Sequence, residues 1–305
     1  TPQVCLTLGE EAARFGRVGV GWRGGARARV LAEAFGCGVC AAGGELVRYD
    51  GHFIAAAAFA AECYGFDQTA YFEEHGESVS LHIFGPGGVV IGREEERRYE
   101  AAARGGQNGQ SGVWGTASTV TGCLEAYVAA AAGLARAGSN RGRLPVAVAG
   151  CGAENRALKR ALSLSGCEIV KKAPGVIALE ATEGGLWLTA EDEEGYRLTG
   201  ERLAVIIAHL ALQRGEKALC VPFEAPAVIE EMAEQRGAKV YRHGRDGVDA
   251  ERGLRRQKFL SDGLFAAVLL CDALREGRRL SDLRRAVPAV ATVTRELPLQ
   301  SERGA

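Results

Sequence analysis

A glycine-rich turn in the middle of the chain has part of the pattern that binds dinucleotides. It reads GCGAEN over residues 150–155, follows a β-rich run and opens a helical stretch, where such a turn presents backbone N–H groups to a pyrophosphate. Asn155 replaces the third glycine, and the next strand ends in Lys171 and Lys172 rather than in an acidic residue that could hold a ribose hydroxyl. A tight strand-to-helix turn explains the glycines equally well, so nucleotide binding is a minor alternative.

Cysteines at positions 37 and 40 have the C-x-x-C spacing of redox and zinc sites. They fall inside a predicted helix, whereas a redox pair belongs at a helix N-terminus, where the thiolate is stabilised. No second pair stands at zinc-site spacing. The chain has nine cysteines, scattered along 305 residues, and this favours reduced thiols in a cytoplasmic protein.

Titratable side chains cluster at Glu73, Glu74 and His75, and acidic side chains cluster over residues 191–194. The first group could supply metal ligands or acid/base catalysts. Adjacent residues project in different directions, however, and rarely converge on one ion. A solvated loop is the simpler interpretation of the first group and a hairpin turn of the second.

Composition excludes several classes of protein. The formal net charge is −1, with 25% charged and 47% hydrophobic residues, so no overall field attracts nucleic acid or an anionic membrane. The longest apolar run covers residues 53–61, far short of the roughly 20 residues that cross a bilayer. We therefore expect neither nucleic acid nor membrane as a partner, and a cytoplasmic location without a secretory signal.

Strands alternate with helices in three successive segments, and many of the 42 glycines lie at the changeovers. This pattern predicts an α/β fold with three tandem α/β/α domains and mixed, mainly parallel sheets. A glycine-rich stretch over residues 104–116 reads as a linker. Predicted strands cover residues 17–21, 45–49, 78–84, 144–149, 168–171, 176–180, 186–189, 196–198, 218–221 and 239–242; predicted helices cover 26–42, 53–63, 119–137, 154–164, 201–214, 226–236 and 262–275.

Four segments resemble the α-D-phosphohexomutases, the phosphoglucomutase/phosphomannomutase family. Residues 144–164 are similar to the strand, turn and helix of the second family domain, and residues 176–203 to the metal-loop strand with its hairpin. Residues 261–273, which include Asp-Gly, resemble the late helix of the third domain, and residues 78–88 the strand after the serine loop. The resemblance implies three phosphohexomutase-like domains over residues 1–106, 107–200 and 201–305, without the fourth domain of the family.

The loops that do the chemistry in the family are altered here. The serine loop should fall over residues 69–76, TAYFEEHG, where Tyr71 or Phe72, followed by Glu73, stands at the position of the phosphoserine. The resemblance therefore implies no catalytic residue at these vestigial positions. The loop that reads sugar hydroxyls should lie between residues 242 and 262, yet it has no G-E-x-S-G; Arg242, His243 and Arg245 are candidate anion-binding residues there.

The metal loop of the family should correspond to residues 180–185, EATEGG. Glu180 keeps a carboxylate, while Thr182 and Gly184 replace two expected acidic ligands. Since Mg²⁺ gives up its water shell reluctantly, one remaining carboxylate should not hold it. We expect no cofactor, with Mg²⁺ relevant only if this loop works after all.

Two functions remain open from the sequence. The favoured one is a catalytically inactive phosphohexomutase-like protein that binds a phosphosugar or a partner protein, either itself or a related mutase. The alternative is an active intramolecular phosphotransferase with a rebuilt site, in which Tyr71, Glu73, Glu74 or His75 supplies the nucleophile or acid/base group, and Glu180 and Glu183 hold a metal. It predicts that these side chains converge in a cleft between the first two domains.

Overall fold

The computed structural model describes residues 1–105, 112–135, 142–243 and 247–289. Its strands form two five-stranded sheets and one two-stranded sheet. Helices cover the sheets, so the predicted α/β class with mixed, mainly parallel sheets is confirmed. None of the described helices is long and apolar enough to cross a membrane.

The first sheet contains five strands in the order β4-β3-β1-β2-β5. All neighbours are parallel except β3 and β4, which form a hairpin. Strand β5 belongs to this sheet although it lies beyond the predicted limit at residue 106. The strands are β1 (Arg17–Arg23), β2 (Glu45–Arg48), β3 (Gln68–His75), β4 (Ser78–Phe84) and β5 (Thr116–Thr119).

Helices cover both faces of the first sheet. On one face lie α1 (Pro2–Ala12), α2 (Ala26–Ala41) and α4 (Arg93–Gly105), and on the other lies α3 (Ile54–Cys63). Helices α1 and α2 touch backbone to backbone, because a Cβ atom on Gly9 would come within 1.9 Å of the Phe35 carbonyl oxygen. This close crossing explains the glycine inside a helix, where it is otherwise unfavourable.

The second sheet has the order β10-β9-β8-β6-β7. Strands β6, β7 and β8 are parallel, and β9 and β10 complete an antiparallel hairpin. Its elements are α5 (Cys123–Ala132), β6 (Leu144–Val148), α6 (Ala153–Leu164), β7 (Cys167–Ile169), β8 (Ile177–Thr182), β9 (Trp187–Glu191) and β10 (Arg197–Leu198). The predicted helix over residues 119–137 was too long, since its first residues belong to β5 and to the turn that follows.

The third unit has a two-stranded parallel sheet under several helices. Its elements are α7 (Gly200–Gln213), β11 (Ala218–Val221), α8 (Val228–Glu234), β12 (Lys239–Arg242), α9 (Gly247–Arg256), α10 (Gly263–Leu274) and α11 (Leu280–Ala286). Every residue of α10 is buried, as expected for a helix that is apolar except for Asp272, whose carboxylate is ion-paired with Arg214. Helix α10 contacts α5, α6, β8 and β9, so the second sheet and the third unit share one hydrophobic core.

Candidate functional site

The stretch predicted to carry a vestigial serine loop is strand β3, in the interior of the first sheet. It pairs with β1 on one side and with β4 on the other. Tyr71 is fully buried, its ring lies 6.2 Å from the His82 ring, and its hydroxyl has no hydrogen-bond partner among the described residues. Burial raises the pKa of Tyr71 well above its ordinary value. Phe72 faces the other side of the sheet and packs edge-on against Phe35, 5.8 Å away.

A charged network joins the first sheet to the second one. Glu73 is 6% exposed; one of its oxygens lies 3.3 Å from Arg23 Nη1 and the other 3.4 Å from His75 Nε2. Arg23 also approaches Glu154, at the start of α6, at 3.8 Å. These side chains lie where β1 and β3 end, because Arg23 and Glu73 are direct neighbours in the strand register. Contrary to the prediction of a solvated loop, Glu73 is therefore buried and ion-paired.

Glu74 points to the opposite face and caps helix α2. Its Oε2 accepts hydrogen bonds from the backbone N–H groups of Gly25, at 2.8 Å, and Ala28, at 3.3 Å. A free helix N-terminus attracts anions such as phosphate. Here the carboxylate of the chain itself occupies that position, so Glu74 has a structural role.

The metal-loop positions lie at the end of β8. Glu180 is half-buried, Thr182 is the last residue of the strand, and a short turn follows over Glu183–Gly185. A Cβ atom on Gly184 would come within 3.0 Å of Ile54, so this turn packs on α3. Within the described ranges, no group of three or more His, Cys, Asp and Glu side chains is arranged to hold a metal ion.

Asn155 explains the incomplete dinucleotide pattern. Its side-chain amide donates to the carbonyl of Ala181 at 3.0 Å and accepts from the N–H of Ala181 at 2.8 Å. This pair of bonds ties the start of α6 to the end of β8. Sequence reasoning treated Asn155 as a missing glycine and did not recognise it as a backbone anchor.

Arg242 is an internal anchor rather than an open anion-binding group. It is 7% exposed, forms hydrogen bonds of 2.6 and 2.7 Å with the Glu230 carboxylate, and donates to the carbonyls of Phe223 and Ala225. Its donors therefore hold the loop after β11 in place. His243, the next residue, lines a cleft, and Arg245 lies outside the described residues.

A cleft of about 220 Å³ opens where all three units meet. We call it the three-unit cleft. Its walls come from α3, from the loop after β4, from the start of β9 and from the segment before α10, and they are mostly apolar. The polar side chains of its lining include His243, Glu224 and Lys258.

A second, more open pocket adjoins the three-unit cleft, with which it shares Trp187 and Glu224. Its other lining residues include Glu183 and Glu201. We call Trp187, Glu183, Glu201 and Glu224 the acidic mouth. The sequence analysis named Glu183 as a possible metal ligand but did not identify Trp187, Glu201 or Glu224. The available signal was that Glu183 and Glu224 follow the carboxyl ends of β8 and β11, the edge where α/β proteins place their ligands.

The convergence expected for a rebuilt enzyme site is only partial. Glu73 and His75 meet, with Arg23 and Glu154 beside them. Tyr71 is sealed in the core, and Glu74 is turned towards α2. In the part of the chain that the structure describes, no hydrogen bond or ion pair connects the Glu180 or Glu183 side chain to this network.

Comparison with known proteins shows which fold this is. No protein-family model and no curated protein sequence matches the chain. Among solved structures, a phosphoglucomutase/phosphomannomutase family protein from Burkholderia thailandensis superposes with a TM-score of 0.71 at 16% identity, covering 95% of this chain and 77% of that chain. The chain has the phosphohexomutase fold.

A more distant structure has the same architecture. The phosphoglucomutase parafusin from Paramecium, in its open form, superposes with a TM-score of 0.61 at 12% identity, over 93% of this chain and 69% of that one. The resemblance inferred from the sequence is confirmed at the level of the fold. Identities this low carry no information on activity.

Proposed function

We propose that this phosphohexomutase-fold protein is catalytically inactive and acts by binding. The observation that carries the proposal is the burial of Tyr71 in a strand paired on both sides. A phosphoryl carrier must reach its substrate with the attacking atom positioned in line. A fully buried phenol with a raised pKa cannot do so without unfolding the sheet.

The metal-loop positions support the same proposal. Glu180 is the one carboxylate left at the expected positions, and the turn after Thr182 packs on Ile54. Phosphoryl transfer depends on cations that offset the charge developing in the transition state. A single carboxylate holds Mg²⁺ poorly, and little stabilisation of that charge remains.

The proposed role is the binding of a small ligand or of a partner protein. A phosphosugar, a second copy of the chain and a related mutase are the classes implied by the resemblance, and a cytoplasmic setting agrees with them. The preserved fold supports binding, because three sheets with well-packed cores persist around the altered loops.

A coupled enzyme assay tests the absence of turnover. The chain is incubated with glucose 1-phosphate or mannose 1-phosphate, Mg²⁺ and glucose 1,6-bisphosphate, beside an authentic mutase as positive control. We expect no conversion above the blank and no phosphorylated side chain by mass spectrometry. Turnover that survives further purification would contradict the proposal.

A second candidate function is an active phosphotransferase that uses the Glu73–His75 pair. The observation in its favour is their 3.4 Å contact next to Arg23 and Glu154, which resembles an acid/base pair with its cation. This candidate requires that Glu73→Gln and His75→Gln each abolish a measured activity. The exposed substitution Glu234→Gln on α8 serves as the control and should leave that activity unchanged.

A further inference from the structure

The three-unit cleft has the lining of a site for an apolar group. Ala55, Ala58 and Phe59 form its α3 wall, while Leu186 and Leu260 line it from the second sheet and the third unit. Clefts at the junction of units, largely apolar with a few polar groups, are the usual form of small-molecule sites. The apolar walls favour an aromatic or aliphatic body, because its burial removes apolar surface from water.

Carboxylates dominate the charge at the acidic mouth. Within the described ranges, no ion pair involves Glu183, Glu201 or Glu224, the three acidic groups of the mouth. Lys258 also lines the cleft, but its ammonium lies 2.5 Å from a Glu62 carboxylate, which offsets its charge. The Arg255 side chain packs over Gly87, which lines the cleft but not the second pocket. The local field at the acidic mouth is therefore negative.

Trp187 lies between the apolar part and the acidic part. Its ring is half-buried, packs over Gly200, and lines both the cleft and the second pocket. The face of an indole ring attracts a cation, because its π system is electron-rich. Trp187 and Glu224 thus combine two groups that recognise a positive charge at the edge of an apolar cavity.

We propose that the three-unit cleft binds a small organic cation, an amine whose apolar body fills the cleft and whose ammonium group lies at the acidic mouth. The proposal specifies the ligand class of the binding function proposed above and rests on that function. A phosphosugar fits the same place poorly, since its phosphate would face three carboxylates.

Three ligands of nearly equal shape and different charge test the proposal. 2-Phenylethylamine, 2-phenylethanol and 3-phenylpropionate are titrated by calorimetry at low ionic strength, with glucose 1-phosphate as a fourth ligand. We expect the amine to bind about tenfold more tightly than the carboxylate, with the alcohol between them. The amine should also change Trp fluorescence, and Trp187→Phe should remove that change.

Two pairs of variants locate the site. Ala58→Leu fills the cleft and should weaken binding of all three aromatic ligands, whereas Ala130→Leu on the exposed face of α5 should not. Glu224→Gln should weaken binding of the amine by about threefold to tenfold and leave the alcohol unchanged, and the matched control is Glu234→Gln on α8. Circular dichroism checks that each variant is folded.

The outcomes separate this inference from the proposed function. Equal affinity for the three aromatic ligands, tighter binding of 3-phenylpropionate or glucose 1-phosphate, or an amine unaffected by Ala58→Leu would each overturn the amine site. Mutase turnover would overturn the proposed function while the charge preference could still be measured. Absence of turnover without a preference for the amine would refute only the inference.

Discussion

Buried polar side chains of this protein connect elements that are distant in the sequence. Asp262 caps α10 by accepting hydrogen bonds from the N–H groups of Leu264, at 2.9 Å, and Phe265, at 3.3 Å. Its two oxygens also lie 2.8 and 2.9 Å from the hydroxyl of Tyr127, in α5. Burial raises the pKa of Asp262 from 3.8 to about 6, although these hydrogen bonds oppose the rise. One side chain therefore caps a helix and joins two units.

Asp262 should make stability depend on pH. Because its folded-state pKa is raised, the folded protein keeps a proton between about pH 4 and pH 6 that the unfolded chain has lost. The free energy of unfolding should therefore fall as the pH rises through this interval, by roughly 3 kcal/mol. Asp262→Asn keeps an acceptor oxygen and should remove that fall.

Urea denaturation of both proteins at pH 4, 5, 6 and 7 measures the effect. The difference in unfolding free energy between wild type and Asp262→Asn should move in favour of the variant as the pH rises. Parallel pH curves for the two proteins would show that Asp262 titrates alike in the folded and unfolded states.

Among the secondary-structure elements, β11 has an unusual neighbour. Two-stranded sheets are marginal by themselves, and an open strand edge promotes pairing with other chains. The side-chain amide of Gln257 lies along this edge: it accepts from the N–H of Cys220 at 2.9 Å and donates to the carbonyl of Ala218 at 2.8 Å. A single side chain thus provides the donor and acceptor that a neighbouring strand would provide.

Gln257→Leu should expose this edge. Two backbone groups of β11 lose their partners, at a cost of about 2–4 kcal/mol in unfolding free energy, and light scattering should show more self-association at equal concentration. The exposed substitution Gln235→Leu at the end of α8 adds the same apolar side chain without this loss. Equal stability and scattering for the two variants would mean that Gln257 does not protect the edge.

In the whole molecule, the hydrophobic cores rather than the sheets should determine which parts unfold together. The second sheet and the third unit share one large core, while most of the first unit packs in two separate clusters, one on each face of its sheet. Helix α10 lies at the centre of the shared core. We therefore expect the second and third units to unfold together when their shared core is destabilised. The first unit should be destabilised less by the same change.

Leu264→Ala tests this coupling. Leu264 is fully buried in the shared core, and removing its side chain should lower the free energy of unfolding by about 3–5 kcal/mol. Hydrogen exchange should become faster in β8 and β11 together and less so in β1. Val18→Ala, in the core of the first unit, should accelerate hydrogen exchange in β1 more than in β8 and β11. Equal acceleration in all three sheets would indicate a single cooperative unit.

Much of the architecture could be predicted from local patterns. Alternating strands and helices, glycines at helix ends and the Asp-Gly start of α10 are visible over a few residues, and together they indicated the α/β class and the phosphohexomutase resemblance. The candidate site was less accessible. His243 was identified as a candidate and lines the cleft. Trp187 carried no local signal, and Glu224 was marked only by its place after the carboxyl end of β11. Their proximity depends on two loops about 35 residues apart in the sequence.

The sequence by itself determined which residue types stand at the positions where the family places its serine and its metal ligands. Tertiary structure decided that residues 68–75 form an interior strand, that Asn155 holds β8, and that an apolar cleft with an acidic mouth lies between the units. The physical reason is the separation along the sequence over which each interaction acts. Helix and turn preferences act within a few residues, while strand pairing, burial and the meeting of charges depend on segments that only folding brings together.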